Sequence, residues 1–323
     1  MYRKIFFIIS LVFILFTTSC ENRTSKENRT APLVGFLDFV QDPTIELARK
    51  GFEDALRNNG FSEEDGTVEW IYTNAQGDIP TLNQACELLI SRSPDLIATN
   101  VTLSTITTVR KTKDIPIFMI VSPRPDIAGL SKDTLSYPEN LFGVYETLAY
   151  IDTAINMIND LMPDARTIGT IYNQSEPQSV DAFEVLSAAC KKLNLNLVSK
   201  PVTNSSESQL VTQALLNEEV DVFFALPDNV IFASFETIEK NCSQANVPIF
   251  TSESGLVSRG ALASYGADFY QWGYQCGEQA SAFLLGENVT GPEEVIIRKR
   301  IFNPAVAEKF GIEPNELYQP IPD

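Results

Sequence analysis

Histidine is absent from the 323 residues. That removes Ser-His-Asp and Cys-His catalysis, and every histidine-ligated metal site, at one stroke. Cysteine is scarce, with 5 in the chain, and no two share the short spacing of a zinc site. There is no Gly-x-Ser-x-Gly elbow, no phosphate loop and no metal-ligand cluster. An enzyme would have to work with carboxylates alone, and no cofactor is implied. Base is in short supply too: 24 Lys and Arg stand against 42 Asp and Glu, for a formal charge of −18. Such a surface repels polyphosphate, so nucleic acid is not the expected partner.

Long apolar runs are also missing. The one at the start, Ile5 to Phe16, is apolar except for Ser10 and is too short to span a bilayer. Arg3 and Lys4 precede it, and Thr17, Thr18, Ser19 and Cys20 follow. This is the order of a secretory signal with a small-residue cleavage site, over 1–19. A cysteine directly after the small residues resembles a bacterial lipobox, whose cysteine takes the lipid, although Phe16-Thr17 stands where a leucine is usual. Residues 20–31 then read as a lipidated N-terminus and polar tether without an apolar period. Cleavage would remove Arg3 and Lys4 and no acid, leaving the remainder more acidic still.

From Pro32 onward the chain alternates short apolar runs with helical patterns, the mark of an α/β protein. Strands are predicted over 33–37, 68–72, 95–98 and 115–121, with helices from Pro43, Ile79 and Ser104 between them. Such β-α-β units build a parallel sheet with right-handed crossovers. The alternation restarts with a helix over 148–161. It continues through strands at 167–172, 195–199, 221–225, 247–251 and 261–264. A long helix, Phe269 to Leu285, carries Phe269, Trp272, Cys276 and Ala280 on one stripe. A strand follows at 295–301, and the Pro-rich C-terminus reads as loose. The four cysteines beyond Cys20 fall in helical patterns and read as buried free thiols. A Cys190–Cys242 bridge is the exception to check, since both fall in the second half and secretion would permit it.

In open parallel sheets, ligands bind beyond the carboxyl ends of the strands. The segments there are Asp38 to Asp42, Thr73 to Asp78, Thr99 to Ser104 and Ser122 to Arg124. In the second half they are Asn173 to Glu176, Pro227 to Asn229 and Ser252 to Ser254. Hydroxyls and helix N-terminal amides suit a carboxylate. Asp228 or Glu253 suits an ammonium group, and Phe39 or Tyr145 could stack on an apolar side chain. Thr102, Ser104, Asp228 and Ser252 read equally well as helix caps or turn residues.

These segments resemble the type I periplasmic-binding-fold proteins that serve ABC importers, in the branch linked to tryptophan or tyrosine uptake. The resemblance is carried by ARKGFEDAL (48–56), NAQGD (74–78), PDLIAT (94–99), IPIF (115–118), AGL (128–130), DN (228–229) and GALASYGADFYQWGYQCGEQA (260–280). It implies two Rossmann-like lobes with parallel sheets, three crossovers and a hinged cleft. Lobe 1 would be 32–143 plus 265–292, and lobe 2 would be 144–264 plus 293–323. It implies a monomer that closes on a small molecule, without catalysis, and docks on an ABC permease in the membrane. A sensor that presents its closed form to a membrane receptor is the alternative. Carried over, the contacts come from Phe39, Gln41, Thr102, Ser104, Asp228 and Asn229, with Asn173, Ser175 and Glu253 beside them. Two positions depart from the family pattern. Pro123-Arg124-Pro125 replaces a Thr-Asp-Pro, so Arg124 either faces an acidic group or is solvated at the rim. Tyr145-Glu146 replaces a Ser-Asp.

Overall fold

β1 (Leu33–Asp38) is buried along its whole length, as a near-continuous apolar run in a parallel sheet must be. It is the second strand from one edge of a six-stranded sheet in the computed structural model of the protein, which describes residues 29–133, 136–148 and 150–321. The signal-like segment and Cys20 lie outside the described residues. β2 (Glu69–Asn74) is that sheet's edge, and β3 (Leu96–Asn100), β4 (Ile117–Ile120) and β5 (Leu141–Tyr145) follow on the other side of β1. β1 to β5 all run parallel, from Leu33↔Glu69 at one edge to Phe118↔Phe142 at the other. The connections are α1 (Pro43–Asn58), α2 (Ile79–Ser91) and α3 (Thr102–Lys111). Pro43 stands in the first turn of α1, where its missing N–H costs nothing. Asp42 caps that turn by accepting from Thr44 N at 2.8 Å.

The second sheet has seven strands: β6 (Thr167–Asn173), β7 (Asn196–Val202), β8 (Val222–Ala225), β9 (Ile249–Thr251), β10 (Ala263–Ala267), β12 (Arg298–Phe302) and β13 (Gln319–Pro320). Spatially they run β13-β12-β10-β9-β8-β6-β7, with β12 antiparallel to β10. The helices are α4 (Tyr150–Leu161), α5 (Pro177–Lys192), α6 (Ser208–Leu216), α7 (Asn229–Gln244) and the short α8 (Ser254–Val257). α9 (Phe269–Leu284) returns to the first lobe and packs along α1 so closely that a Cβ on Gly273 would sit 1.7 Å from the Ala48 carbonyl. β11 (Glu293–Glu294) then pairs with β5.

The chain therefore passes between the sheets three times: after β5, after β10 and after β11. The changes of lobe fall slightly later than the sequence suggests. Tyr265 to Ala267 still belong to the second sheet, and Glu293–Glu294 to the first. The C-terminus is not loose, because α10 (Pro304–Phe310) and β13 close the second sheet's edge. Cys86, Cys190, Cys242 and Cys276 are buried free thiols, so the Cys190–Cys242 bridge does not form. Among the described residues no helix is long and apolar enough to cross a membrane.

Candidate functional site

The two sheets point their strand tips at each other. Two chambers lie between them, and their linings pair the inner tips of β3 and β4 with those of β8 and β9, and the outer tips of β1 and β2 with those of β6 and β7. Between the inner pairs lies a narrow, partly open cavity, about 420 Å³ when the space open to solvent is counted with it. Lobe 1 contributes Val101, Thr102, Val121, Ser122 and Pro123; the first crossover contributes Glu146 and Leu148. Lobe 2 contributes Tyr150, Gln178, Pro227, Asn229, Phe232 and Glu253, and Phe269 and Trp272 of α9 complete the wall. Between the outer pairs lies a more open chamber lined by Phe39, Gln41, Gln76, Asn173, Glu176 and Ser205 among others. Asn229 borders both.

The lobe 1 wall is built on strained backbone. Val101, Val121 and Leu148, each just beyond a strand tip, have φ of 68°, 50° and 61°. Left-handed dihedrals at a β-branched residue cost free energy and concentrate at binding sites. Val101 is also the N-cap of α3, and no side chain caps that helix. Its first-turn N–H groups have no intrahelical carbonyl to reach, and Thr102 in that turn lines the cavity. Ser122 Oγ, buried in the same wall, has no protein partner.

The lobe 2 wall is acidic. Glu253, 1% exposed, accepts on Oε1 from Tyr150 Oη and from Ser252 Oγ, both at 3.1 Å, while its Oε2 has no protein partner. Burial pushes its pKa up to about 8, only partly opposed by those hydroxyls. Glu146 is as deeply buried, but Arg298 holds it with two bonds of 2.6 and 3.0 Å. That pair spans the first and third crossovers. Behind the wall, Glu176 accepts from Asn173 Nδ2, Asn229 Nδ2 and Gln178 Nε2, leaving Gln178 Oε1 without a protein partner. Burial and the neighbouring Asp228 push the Glu176 pKa up to about 7.

The lobes are shut on each other. Arg259 of lobe 2 donates to Asp42 Oδ2 at 2.6 Å and to Thr44 Oγ1 at 3.2 Å, both in lobe 1. Beside it, Gly255 backs onto Thr44 so tightly that a Cβ would fall 2.2 Å from Thr44 Cγ2.

The residues singled out in the sequence divide into three groups. Thr102, Asn229 and Glu253 line the inner cavity, and Phe39, Gln41, Asn173 and Asn229 line the outer chamber. Ser104 is buried one step behind Thr102, with an unpartnered Oγ. The remaining four are elsewhere. Asp228 is fully buried and spends both oxygens on structure. Oδ1 accepts from Val230 N (2.7 Å) and Ile231 N (3.1 Å), and Oδ2 accepts from Asn173 N (2.7 Å) and Ser179 Oγ. It is a cap, and no lone pair faces the cavity. Arg124 is locked bidentately to Asp126 at 2.7 and 2.8 Å, half-exposed and outside the cavity lining. Tyr145 ends β5 and packs in a small lobe 1 cluster with Val109, Ile117 and Leu141. Ser175 is exposed, its N–H held by Asn173 Oδ1 at 2.9 Å.

The model of one family, described as ABC transporter substrate binding protein, matches residues 33–319. The chain belongs to this family. It is a solute-binding component of an ABC transporter, extracytoplasmic, from a family that binds and delivers without catalysis. A curated relative from Clostridioides difficile, named tyrosine-binding protein, is 34% identical over 271 residues, covering 84% of this chain and 77% of the relative. An ABC domain from Streptococcus pneumoniae, solved in complex with L-Trp, is 26% identical with a TM-score of 0.81, covering 89% of this chain and 97% of that one. The ligand-free, open structure of a C. difficile substrate-binding protein is 30% identical, yet its TM-score is 0.67 over 90% of this chain and 99% of that one. The lower score at higher identity agrees with the shut lobes of this substrate-binding protein.

Sequence reasoning missed Ser122, Tyr150, Gln178, Phe232, Phe269 and Trp272 as cavity residues. In the sequence Glu146 stands out only as a departure from the family pattern. Phe269 and Trp272 were visible as a core stripe, and the start of α9 carries that stripe into the cleft. Gln178 sits in the first turn of α5, where any strand-tip argument extended by one turn would have reached it.

Proposed function

We propose that this substrate-binding protein captures an amino acid with an aromatic side chain, held at the membrane by lipid on Cys20, and hands it to an ABC permease. The observation that carries the reading is the polarity of the inner cavity. One wall offers an uncapped helix N-terminus and free hydroxyls, which suit a carboxylate. The facing wall offers the Glu253 carboxyl without a cation, which suits an ammonium group. Tyr150, Phe232, Phe269 and Trp272 supply apolar walls for a ring. The relatives named for tyrosine and solved with L-Trp support the same class of ligand. The lipid reading rests on the Thr17-Thr18-Ser19-Cys20 sequence after a short apolar run.

Mass spectrometry of small molecules retained by the gently purified protein is the first test, followed by titration calorimetry with tyrosine and tryptophan. The expected result is a retained molecule carrying both an amino and a carboxylate group. A retained sugar, with no heat from any amino acid, would overturn the reading. Metabolic labelling with a fatty acid checks the anchor: label lost in Cys20→Ala supports it, and label kept in that variant removes it.

A further inference from the structure

Arg259 of lobe 2 divides its donors between the two lobes. Nε and Nη2 serve its own lobe: Nε donates to Glu236 Oε1 at 2.8 Å, and Nη2 donates to Glu236 Oε2 at 3.1 Å and to the Phe232 carbonyl at 2.9 Å. The guanidinium also rests over the Phe235 ring, 5.2 Å from its centre. Nη1 crosses to lobe 1, where it donates to Asp42 Oδ2 and Thr44 Oγ1. Asp42 is divided in the same way. Its Oδ1 caps α1, accepting from Thr44 N at 2.8 Å and Ile45 N at 3.2 Å, which leaves Oδ2 for Arg259. None of Asp42, Thr44 and Arg259 lines the inner cavity or the outer chamber.

Parting the lobes breaks the Nη1 bonds and leaves the others in place. Each partner is therefore held in position by its own lobe before the two meet, so closure orders few side chains. Closure also strips water from Asp42, which is 1% exposed with the lobes shut. A buried carboxylate needs a cation or donors in place of that water. The first-turn N–H groups of α1 supply part of this in either state, and Arg259 supplies the rest only when the lobes meet. The Glu236 side chain is 69% exposed, so it steers the guanidinium at little energetic gain, and the buried Asp42 profits most from it.

We infer that Arg259 and Asp42 form a preset latch, which sets the affinity and residence time of the bound solute from outside the binding cavity. A ligand held between two lobes leaves when they part, so its observed affinity scales with the closed population. The latch enters that population as a factor common to every ligand. It is blind to ligand chemistry, and so stands or falls apart from the amino-acid reading above.

The test is calorimetry and stopped-flow release on the purified protein with L-tyrosine and L-tryptophan as probes, for the wild type, Arg259→Gln, Asp42→Asn and the double variant. Asn keeps the capping oxygen of Asp42 and removes its charge. Either single variant should weaken each probe that binds by about 10- to 100-fold, mainly through faster release, and leave the ratio between the probes within about twofold of its wild-type value. The double variant should bind no worse than the weaker single variant, because the two residues act as one unit. Thermal unfolding reports whether each variant folds, and Asp42→Ser replaces Asp42→Asn if the latter does not. A ratio that shifts with the variant, losses that add in the double variant, or unchanged release overturns the latch while leaving the amino-acid reading intact. If the wild type binds neither probe, the amino-acid reading falls and the latch is read from small-angle scattering of the ligand-free protein. There Arg259→Gln should raise the radius of gyration, and an unchanged radius overturns the latch.

Discussion

Two helices start at the same cleft and are finished in opposite ways. α7 in lobe 2 opens with Asp228, whose carboxylate accepts from two of its first-turn N–H groups and ties β6 and α5 to it as well. α3 in lobe 1 opens with Val101, which has no hydrogen-bonding side chain and a left-handed φ of 68°. One N-terminus is satisfied from within and the other is left for something else. The sequence rule that helix starts mark anion sites holds only where the protein has not already supplied the anion. Asp228 is thus a ligand surrogate built into its own lobe, and the partner-lobe helix shows what that position looks like without one.

Uncapping α7 should have the largest effect. Asp228→Ala orphans several buried donors at once, so stability should fall by about 3 kcal/mol in urea unfolding. Any ligand weakening should follow from that loss of stability alone. A variant as stable as the wild type that no longer binds would return Asp228 to the contact list. The converse change gives α3 the cap it lacks. Val101→Asp places a carboxylate beside those N–H groups, at a cost in stability because Val101 is 3% exposed and packed in the core. It should weaken a carboxylate ligand by about 100-fold through occupied N–H groups and like charge, more than the fall in thermal stability alone accounts for. Unchanged affinity would mean the α3 N-terminus is not the carboxylate site.

The acidic wall can be examined by pH. Glu253 is raised in the folded protein from 4.5 to about 8, so the native state holds a proton that the unfolded state has lost. Stability of the ligand-free protein should therefore decline as pH rises from about 4.5 through 8. An ammonium ligand needs the ionised carboxyl, so its affinity should rise over the upper part of the same window. Glu253→Gln should flatten both curves, and two unaltered curves would remove Glu253 from the site. The smallest effect belongs to Arg124. Its charge is spent on Asp126 at the half-exposed rim, so Arg124→Ala should change affinity by no more than about twofold. A tenfold change would place that rim in contact with the ligand.

The α/β alternation, the doubling into two lobes and the first four strands were legible because buried parallel strands are apolar runs between amphipathic helices. β5 was not read as a strand. Its run is short and is interrupted by Gly143, whose φ of 103° brings it against the Met119 backbone, where a Cβ would fall 2.4 Å from Met119 N. Without β5, Tyr145 falls in a loop and its side chain reads as a cleft residue. It belongs to the strand, and the next residue, Glu146, enters the cavity. The C-terminal helix was masked by prolines that in fact start it, with Pro304 in its first turn and Asn303 as its cap. For single residues, hydroxyls and acids at strand tips named the right loops. Which of them cap and which face inward is decided by partners far along the chain, such as the 55 positions between Asn173 and Asp228. The left-handed backbone at Val101, Val121 and Leu148 has no local signal, since valine and leucine are among the residues least expected there.

Gly255 sets how far the lobes can swing. With no side chain, it lets lobe 2 come to rest against Thr44, and Arg259 can then reach Asp42. Even one methyl group there would act as a doorstop, holding the jaws apart by more than the reach of a hydrogen bond. Gly255→Ala should therefore leave each lobe folded and the ligand's own contacts untouched, yet give small-angle scattering of a gaping molecule that releases its cargo quickly.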